Sequence, residues 1–166
     1  PGNGSLGHVN IENFMDLAGI DLLHVPYKGA GQAASDALAG VVDAMTDNLP
    51  STLPHVKAGK LRALAVLSPE RAAVLPDVPT YAELGYGAMG EGGWFGLVAP
   101  AGTPPEAIKA LHAAAHKGMA TAECRERAAA NAGVSMANPP EQFAAQIQQT
   151  LARYRGIVEK AKIELK

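Results

Sequence analysis

The amino-acid sequence predicts an α/β fold, in which an open parallel or mixed sheet carries flanking helices and the C-terminal third is mostly helical. Three short apolar runs, at residues 21–25, 41–47 and 61–67, have the length and composition of buried strands. Between them lie segments with helical spacing that are bounded by glycine or proline. Strands that alternate with helices in this way are typical of βαβ units and of a parallel sheet.

Three helices are predicted around these strands. The first covers residues 5–17, and Ser5 and Gly19 have the chemistry of its N-cap and its C-terminal stop. The second covers residues 32–38. The third covers residues 49–59, and prolines near its start suit the first turn of a helix.

The sequence changes character after the third strand. Residues 68–93 are rich in proline and glycine and predict loops around one short helical stretch at residues 80–84. Residues 94–100 predict a fourth strand, and Thr103 and Glu106 have the spacing of a capping box at the start of the next helix. Two further helices are predicted at residues 121–131 and 140–162.

Composition limits the classes of function. The chain has 166 residues, of which 48% are hydrophobic, enough for a domain with a real core. A net charge of −2 gives no electrostatic case for binding nucleic acid or an anionic membrane surface. Cys124 is the single cysteine, which excludes an internal disulfide and a tetrathiolate metal site. The first residues lack the basic and apolar regions of a secretory signal.

The opening glycines leave two interpretations open. Gly2, Gly4 and Gly7 have the G-x-G-x-x-G spacing of a dinucleotide-binding loop, as in a nucleotide-dependent oxidoreductase. That loop needs a preceding strand and an acid at the end of the next strand, whereas Asp21 stands at the start of its strand. The other interpretation is a helix N-terminus whose N–H groups, together with the Ser5 hydroxyl, suit a carboxylate.

Two other loops join a predicted strand to a predicted helix. PYKG occupies residues 26–29, and TDNLP occupies residues 46–50. Ligands bind open α/β sheets at the carboxyl ends of the strands, so these loops and the opening loop would lie on one edge of the sheet. Each of these two loops also has an interpretation that involves no ligand. Lys28 would then be a solvated side chain on a surface turn, and Asp47 or Asn48 would cap the following helix.

Signals of catalysis and of metal binding are weak. His8 lies one helical turn after Ser5, but no G-x-S-x-G elbow surrounds the serine and no acid is evident to orient the histidine. His112 and His116 have the spacing of a metal pair, but they lack a third ligand and the glutamate of H-E-x-x-H. We therefore expect no enzymatic activity, no metal and no cofactor.

Five motifs occur in order along the chain: GNGSLGH, AGIDLLHVPYKGAG, DNLPSTLPHVKAGKLRALAV, LPDVPTYAELGY and WFGLVAPAGTPPEAI. Together they resemble the Bug (TctC-like) solute-binding proteins of bacterial tripartite tricarboxylate transporters. The resemblance implies a lobe of a periplasmic, type II Venus-flytrap protein that captures a small carboxylate-bearing solute and delivers it to a membrane permease. Matching motifs imply these ligand-binding residues: Gly4, Ser5, His8, Pro26, Tyr27, Lys28, Gly29, Asp47 and Asn48.

Bug-like proteins have two lobes, and the resemblance covers only part of them. It assigns residues 1–93 to the second lobe and residues 94–166 to the crossover strand and the helices that return to the first lobe. The N-terminal part of the first lobe has no counterpart in this sequence, so we expect either a fragment of a longer protein or a naturally half-length version. A stand-alone ligand-sensing module is a further alternative. Apolar faces left by the returning helices predict packing onto the remaining lobe or self-association, through Ile108, Leu111, Phe143, Ile147 and Leu151.

Overall fold

The computed structural model of the chain describes residues 2–90, 92–130, 133 and 136–163. A 3₁₀ turn, Gly87–Met89, lies between the third and fourth of the helices found in these residues. The α-helices are α1 Leu6–Ala18, α2 Ala30–Leu38, α3 Leu49–Lys57, α4 Pro105–Met119, α5 Ala122–Ala130 and α6 Pro140–Lys160.

The residues group into two compact units. We call Pro1–Gly93 with Arg153–Lys166 the N-terminal unit, and Trp94–Ala152 the C-terminal unit. Helix α6 contributes its last turns to the first of these and its beginning to the second. None of the helices that the structure describes is long and apolar enough to cross a membrane.

Helix α1 begins and ends within one residue of the predicted bounds, and its two caps are the predicted residues. Ser5 is its N-cap, and the Ser5 Oγ accepts a hydrogen bond from the backbone N–H of His8 at 3.3 Å. Gly19 ends the helix with a left-handed φ of 64°, and its N–H donates to the Met15 carbonyl. Residues with a Cβ adopt this conformation at a cost, which explains the glycine. Both cap predictions are confirmed.

The other helix boundaries follow the sequence less closely. Helix α2 begins two residues before the predicted start, at Ala30, and α3 has its proline in the first turn as expected. Thr103 does not cap α4, because its hydroxyl donates to the Pro100 carbonyl at 2.8 Å and Pro104 is the N-cap. The predicted capping box at α4 is therefore wrong. Helices α5 and α6 lie where expected, except that residue 131 is outside the described residues.

The predicted sheet is not confirmed. In the part of the chain that the structure describes, residues 21–25, 41–47, 61–67 and 94–100 form no β-strand. Within the described residues, one parallel bridge joins Val66 to Thr80, with Val66 N–H donating to the Pro79 carbonyl at 2.9 Å. An apolar run indicates that a segment is favoured in a protein interior, but a strand forms only where a second backbone segment pairs with it. Leu23 and Phe95 show the result, since 92% and 96% of their surfaces are exposed.

A reciprocal pair of hydrogen bonds replaces the short helix predicted at residues 80–84. Thr80 N–H donates to the Glu83 carboxylate at 2.7 Å, and Glu83 N–H donates to the Thr80 Oγ1 at 3.1 Å. This is the bonding of a capping box, although the chain forms only a turn there. Arg71 donates to the same carboxylate at 2.9 Å and lowers the Glu83 pKa, with the Thr80 N–H as a further cause.

The N-terminal unit packs around α1. The Phe14 ring meets the edges of the Tyr81 and Tyr86 rings, with centroids 5.5 and 5.1 Å apart. Asn13 contacts the sulfur of Met89, which is almost fully buried. These contacts fix the orientation of α1, and with it the loop that precedes the helix.

The C-terminal unit packs around Trp94. Its ring lies edge-on to Phe143, with centroids 5.0 Å apart, and its Nε1–H donates to the Thr150 hydroxyl at 3.3 Å. His112 contacts the Asn138 carbonyl at 3.2 Å in the same unit. A small aromatic cluster thus holds the start of this unit against α6.

Candidate functional site

Internal hydrogen bonds hold the loop before α1. The N–H of Gly4, whose φ is 71°, donates to the Nδ1 of His8 at 3.1 Å. The N–H of Ser5 donates to the Gly2 carbonyl, also at 3.1 Å. Ser5 Oγ is already an acceptor for the α1 backbone, so its hydroxyl hydrogen stays available as a donor. The first N–H groups of α1 have no acceptor within the helix. The loop therefore presents hydroxyl and helix-start donors, and the Gly4 N–H is directed inward.

His8 is buried at the base of this loop. Its ring stacks on the ring of His24, with centroids 3.8 Å apart and planes 11° apart. Its Nε2 lies 3.3 Å from the Glu12 Oε1. Because Nδ1 accepts from Gly4, the hydrogen of a neutral ring stands on Nε2, where it faces the carboxylate.

This geometry does not support a serine–histidine catalytic dyad. Both ring nitrogens of His8 are committed, one to Gly4 and the other to Glu12. Ser5 Oγ accepts a bond from the His8 backbone and does not donate to the ring. A general base must accept the proton of its nucleophile, and His8 has no free lone pair for that purpose.

Sequence reasoning missed Glu12 and His24 as partners of His8. The i,i+4 spacing of His8 and Glu12 along α1 is a readable signal for an ion pair. His24 had no such signal, because it stands inside an apolar run sixteen residues later in the sequence. Its pKa is lowered, first by burial and next by the neighbouring His8, while Glu12 opposes the shift.

The second loop leads into α2. The Tyr27 hydroxyl donates to the Asp36 carboxylate at 2.9 Å, and this bond raises the pKa of the tyrosine. Gly29 is the N-cap of α2 in extended conformation and makes no side-chain capping bond. A Cβ built on Gly29 would meet open space. The start of α2 is therefore accessible, with Pro26 and Lys28 exposed beside it.

The structure brings the first two loops together. A Cβ built on Gly2 would lie 3.2 Å from the carbonyl oxygen of Tyr27, and the ring of His8 lies on that of His24, three residues before Tyr27. Glycine at position 2 permits this close backbone approach. The backbone path and the histidine stack thus join the loop before α1 to the loop before α2.

The third loop is held by local bonds. The Ser51 hydroxyl donates to the Asp47 carboxylate at 2.5 Å, and Asn48 is the N-cap of α3 without a side-chain capping bond. Helix α3 contacts α2. Among the residues described, the hydrogen bonds of Asp47 and Asn48 stay within their own loop and α3, so no bond carries them to the first two loops.

A cavity of about 510 Å³ opens elsewhere in the N-terminal unit, between α1 and the end of α6. Asp16 and Lys160 form an ion pair at 2.6 Å on its wall, and Arg153 has a buried Nη2 without a hydrogen-bond partner. It is lined by none of the nine predicted ligand-binding residues. Glu12, the partner of His8, is the residue that its lining shares with the cluster under the loop before α1.

Metal binding receives no support within the described ranges. They contain no group of three His, Cys, Asp or Glu side chains placed to hold an ion. The rings of His112 and His116 are 6.3 Å apart, and His112 contacts a backbone carbonyl.

Comparison with protein families matches residues 1–163 to the tripartite tricarboxylate transporter family receptor. Protein BugT of Bordetella pertussis is 37% identical over 163 residues, which are 98% of this chain and 50% of BugT. The chain thus spans about half the length of this relative.

Solved structures show the same relationship. A structure described as a periplasmic transporter is 36% identical with a TM-score of 0.88, over 98% of this chain and 54% of that protein. A protein of R. palustris solved with adipate is 29% identical with a TM-score of 0.87, over 96% of this chain and 54% of that protein.

Proposed function

Because the chain belongs to the tripartite tricarboxylate transporter receptor family, we propose that it supplies the carboxylate-binding lobe of an extracytoplasmic solute-binding protein. The match over residues 1–163 is the observation that carries this proposal. Residues 1–93 would form the ligand-binding lobe, and residues 94–166 would form the crossover segment and the helices that return towards the other lobe.

Chemistry at the two joined loops supports an anionic ligand. The Ser5 hydroxyl and the first N–H groups of α1 are donors at the positive end of a helix dipole. The open start of α2 at Gly29 adds donors of the same kind, and Lys28 adds a positive charge beside them. A carboxylate accepts hydrogen bonds from these unpaired donors and is also attracted by the positive charge of the helix starts and of Lys28. A neutral solute can only accept the hydrogen bonds.

We place the solute among small di- or tricarboxylates, and the delivery partner among the membrane subunits of the transporter. Adipate in the R. palustris relative supports a dicarboxylate of that length range. The working compartment would be the periplasm, in keeping with the periplasmic transporter that the chain resembles. Asp47 and Asn48 would approach the ligand from the third loop, as the matching motif implies.

The proposed role is binding without chemistry. Family relatives are solute-binding proteins, and the lack of a free lone pair on His8 agrees with this role. Capture by such proteins depends on closure of two lobes over the solute, which excludes water. One lobe alone leaves half of the solute in water, so we expect this chain to bind more weakly than a two-lobed relative.

Nuclear magnetic resonance titration of the chain tests the proposal. Succinate, adipate and citrate are added in turn, with succinamide as an uncharged control of the same length as succinate and NADH as the probe for the dinucleotide alternative. We expect a carboxylate to shift the amide signals of Ser5, Leu6 and Gly29, whereas succinamide leaves them in place. A response to NADH without a response to any carboxylate would contradict the proposal and favour the oxidoreductase interpretation.

A further inference from the structure

A titratable cluster lies directly under the loop before α1. The rings of His8 and His24 stack at 3.8 Å, and the His8 Nε2 lies 3.3 Å from Glu12. On its other side, the His8 Nδ1 accepts the Gly4 N–H at 3.1 Å. The cluster therefore connects two histidines from different parts of the chain to the backbone of a proposed ligand-binding loop.

The bond to Gly4 exists in one protonation state of His8. A neutral imidazole with its hydrogen on Nε2 has a lone pair on Nδ1, whereas a protonated imidazole has a hydrogen on both nitrogens and can only donate. Protonation of His8 therefore removes the acceptor of the Gly4 N–H. The loop geometry changes with the proton, in addition to the local charge.

The stacked ring of His24 acts on this equilibrium. Two parallel imidazoles at 3.8 Å repel each other when both are charged. Burial lowers the His24 pKa and the neighbouring His8 lowers it further, while Glu12 raises it. The α-amino group of the chain, outside the described residues, adds a smaller effect in the lowering direction. Burial and the neighbouring His8 thus favour the uncharged form of His24. In a neutral His8 ring with its hydrogen on Nε2, Nδ1 accepts the Gly4 N–H.

We propose that His24 is a positioning residue of the carboxylate site, whose ring holds the His8 imidazole in the orientation and the neutral form that bind the Gly4 N–H. This inference rests on the proposed function, since it treats the Gly4–Ser5 loop as a ligand contact. Protonation of His8 would remove the Nδ1 acceptor of the Gly4 N–H, and Glu12 would offset the charge that the imidazole gains. Carboxylate affinity should therefore be lower when His8 is protonated.

The first measurement does not depend on a ligand. The amide signal of Gly4 is followed from about pH 8 to about pH 5 in the wild type, His24→Ala, His24→Phe and the control His116→Ala. His116 is exposed on α4 in the C-terminal unit. We expect the wild-type Gly4 signal to move as the pH falls, when protonation removes the His8 Nδ1 acceptor. His24→Phe keeps a flat ring against His8, so it should keep the wild-type Gly4 shift at the alkaline end. His24→Ala loses the wild-type Gly4 shift already at the alkaline end.

A Gly4 signal that is insensitive to pH, or a His24→Ala profile that coincides with wild type and His116→Ala, overturns the inference. If His24→Ala fails to fold, the loss of its Gly4 signal says nothing about the loop. His24→Phe then serves as the test, because its ring can still stack on His8.

The second measurement links the cluster to binding. Succinate and adipate are titrated at the two ends of the pH range, and we expect an affinity about fivefold lower at the acid end, the effect of one lost hydrogen bond. His24→Ala should show the low affinity at both ends, and His24→Phe should recover it at the alkaline end. Binding that is independent of pH in wild type overturns the inference alone. If no dicarboxylate binds at either pH, the proposed function fails, and the Gly4 titration still decides whether His24 positions the loop.

Discussion

Ser5 serves both α1 and the proposed carboxylate site, because a hydroxyl can accept and donate at the same time. Its oxygen accepts the N–H of His8 at 3.3 Å, which satisfies one of the orphan donors at the start of the helix. Its hydrogen remains to donate outward. The cap uses the Ser5 oxygen and the proposed ligand contact uses its hydrogen, so the two roles do not compete. A substitution of Ser5 therefore affects both helix stability and ligand affinity, and each must be measured separately.

Replacement of Ser5 by alanine should weaken binding of the best dicarboxylate by about 1–3 kcal/mol, the cost of removing a donor to a charged group. It should also lower the free energy of unfolding by about 1 kcal/mol, because the cap is lost. Calorimetric or magnetic resonance titration measures the first effect and denaturant unfolding the second. Thr121→Ala is the matched control, since Thr121 accepts from the Cys124 N–H at 3.2 Å and caps α5. An unchanged affinity in Ser5→Ala would remove Ser5 from the site.

Gly90 is a residue whose backbone excludes a side chain. Its φ of 72° with ψ of −145° is a conformation that L residues rarely adopt, and a Cβ there would lie 2.2 Å from the Arg153 Nη1. The guanidinium can move, but the backbone strain remains. Gly90→Ala should therefore lower the free energy of unfolding by about 1–3 kcal/mol.

Denaturant unfolding monitored by circular dichroism checks this value. Gly118→Ala is the control, since Gly118 lies in α4 with open space around the Cβ position. That substitution should raise stability by roughly 0.5–1 kcal/mol through helix propensity. Two variants of equal stability would show that the conformation of Gly90 carries no strain.

Local chemistry decides which site residues can be predicted from sequence. Ser5 and Gly19 were predictable because a cap depends on the residue and its nearest neighbours. Glu12 could have been found from its spacing to His8, and His24 could not, because a ring stack between distant residues leaves no periodic trace. The partners of His8 can therefore be predicted only in part, since one comes from local spacing and the other from a distant ring stack.

At the scale of elements, α1 organises the N-terminal unit through three faces. His8 faces His24, Phe14 faces the tyrosines of the turn at residues 81–86, and Asp16 pairs with Lys160 near the end of α6. On the aromatic face, Tyr81 contacts Phe14 and is partly buried, and burial raises its pKa. Its ionisation should report on the docking of α1.

Alkaline pH should destabilise the N-terminal unit through Tyr81. Burial raises the Tyr81 pKa above its ordinary value of 10.0, so the folded chain favours the neutral phenol. The unfolded chain loses this proton first, and the stability that is fully present below about pH 10 is lost as the pH rises through the folded-state pKa. Thermal unfolding from about pH 8.5 to about pH 11 measures this loss. Tyr81→Phe should reduce the slope, and Tyr154, whose pKa burial also raises, contributes to what remains. An identical slope in the variant would contradict the assignment.

Helices were predictable from the sequence, and strands were not. A helix closes its hydrogen bonds within one segment, so periodicity and caps are sufficient to locate α1, α3 and α6. A strand closes its bonds with another segment, and only Val66 of the predicted strands has a bridge in the described structure. Thr80 and Glu83 form the two hydrogen bonds of a capping box, but the residues that follow form a turn and no helix. A local motif can therefore form its own bonds without predicting the element that usually follows it.

At the scale of the whole molecule, the family and the path of the backbone are shown directly by comparison with known proteins, whereas the ligand-binding residues remain proposed. A TM-score of 0.88 to a periplasmic transporter over 98% of the chain shows that the backbone follows a known path. Two of the three predicted loops, those before α1 and α2, lie together, because Gly2 permits the close approach of the two backbones and His8 stacks on His24. Asp47 and Asn48 remain a prediction for the proposed site, since their described hydrogen bonds stay within their own loop and α3.

The apolar residues that the structure leaves exposed predict self-association of this chain. Phe95, Leu97 and Val98 are 96%, 71% and 74% exposed, and they follow one another closely in the C-terminal unit. Exposed apolar side chains this close together along the chain favour association. We expect the weight-average sedimentation coefficient to rise with protein concentration. Phe95→Ser should weaken the association by about 1.5 kcal/mol or more, roughly tenfold, because a phenyl ring no longer gains by burial. Gln149→Ser, an exposed polar position of the same unit, is the control and should sediment as wild type. A single monomeric species at every concentration would show that these side chains find no partner in a second copy.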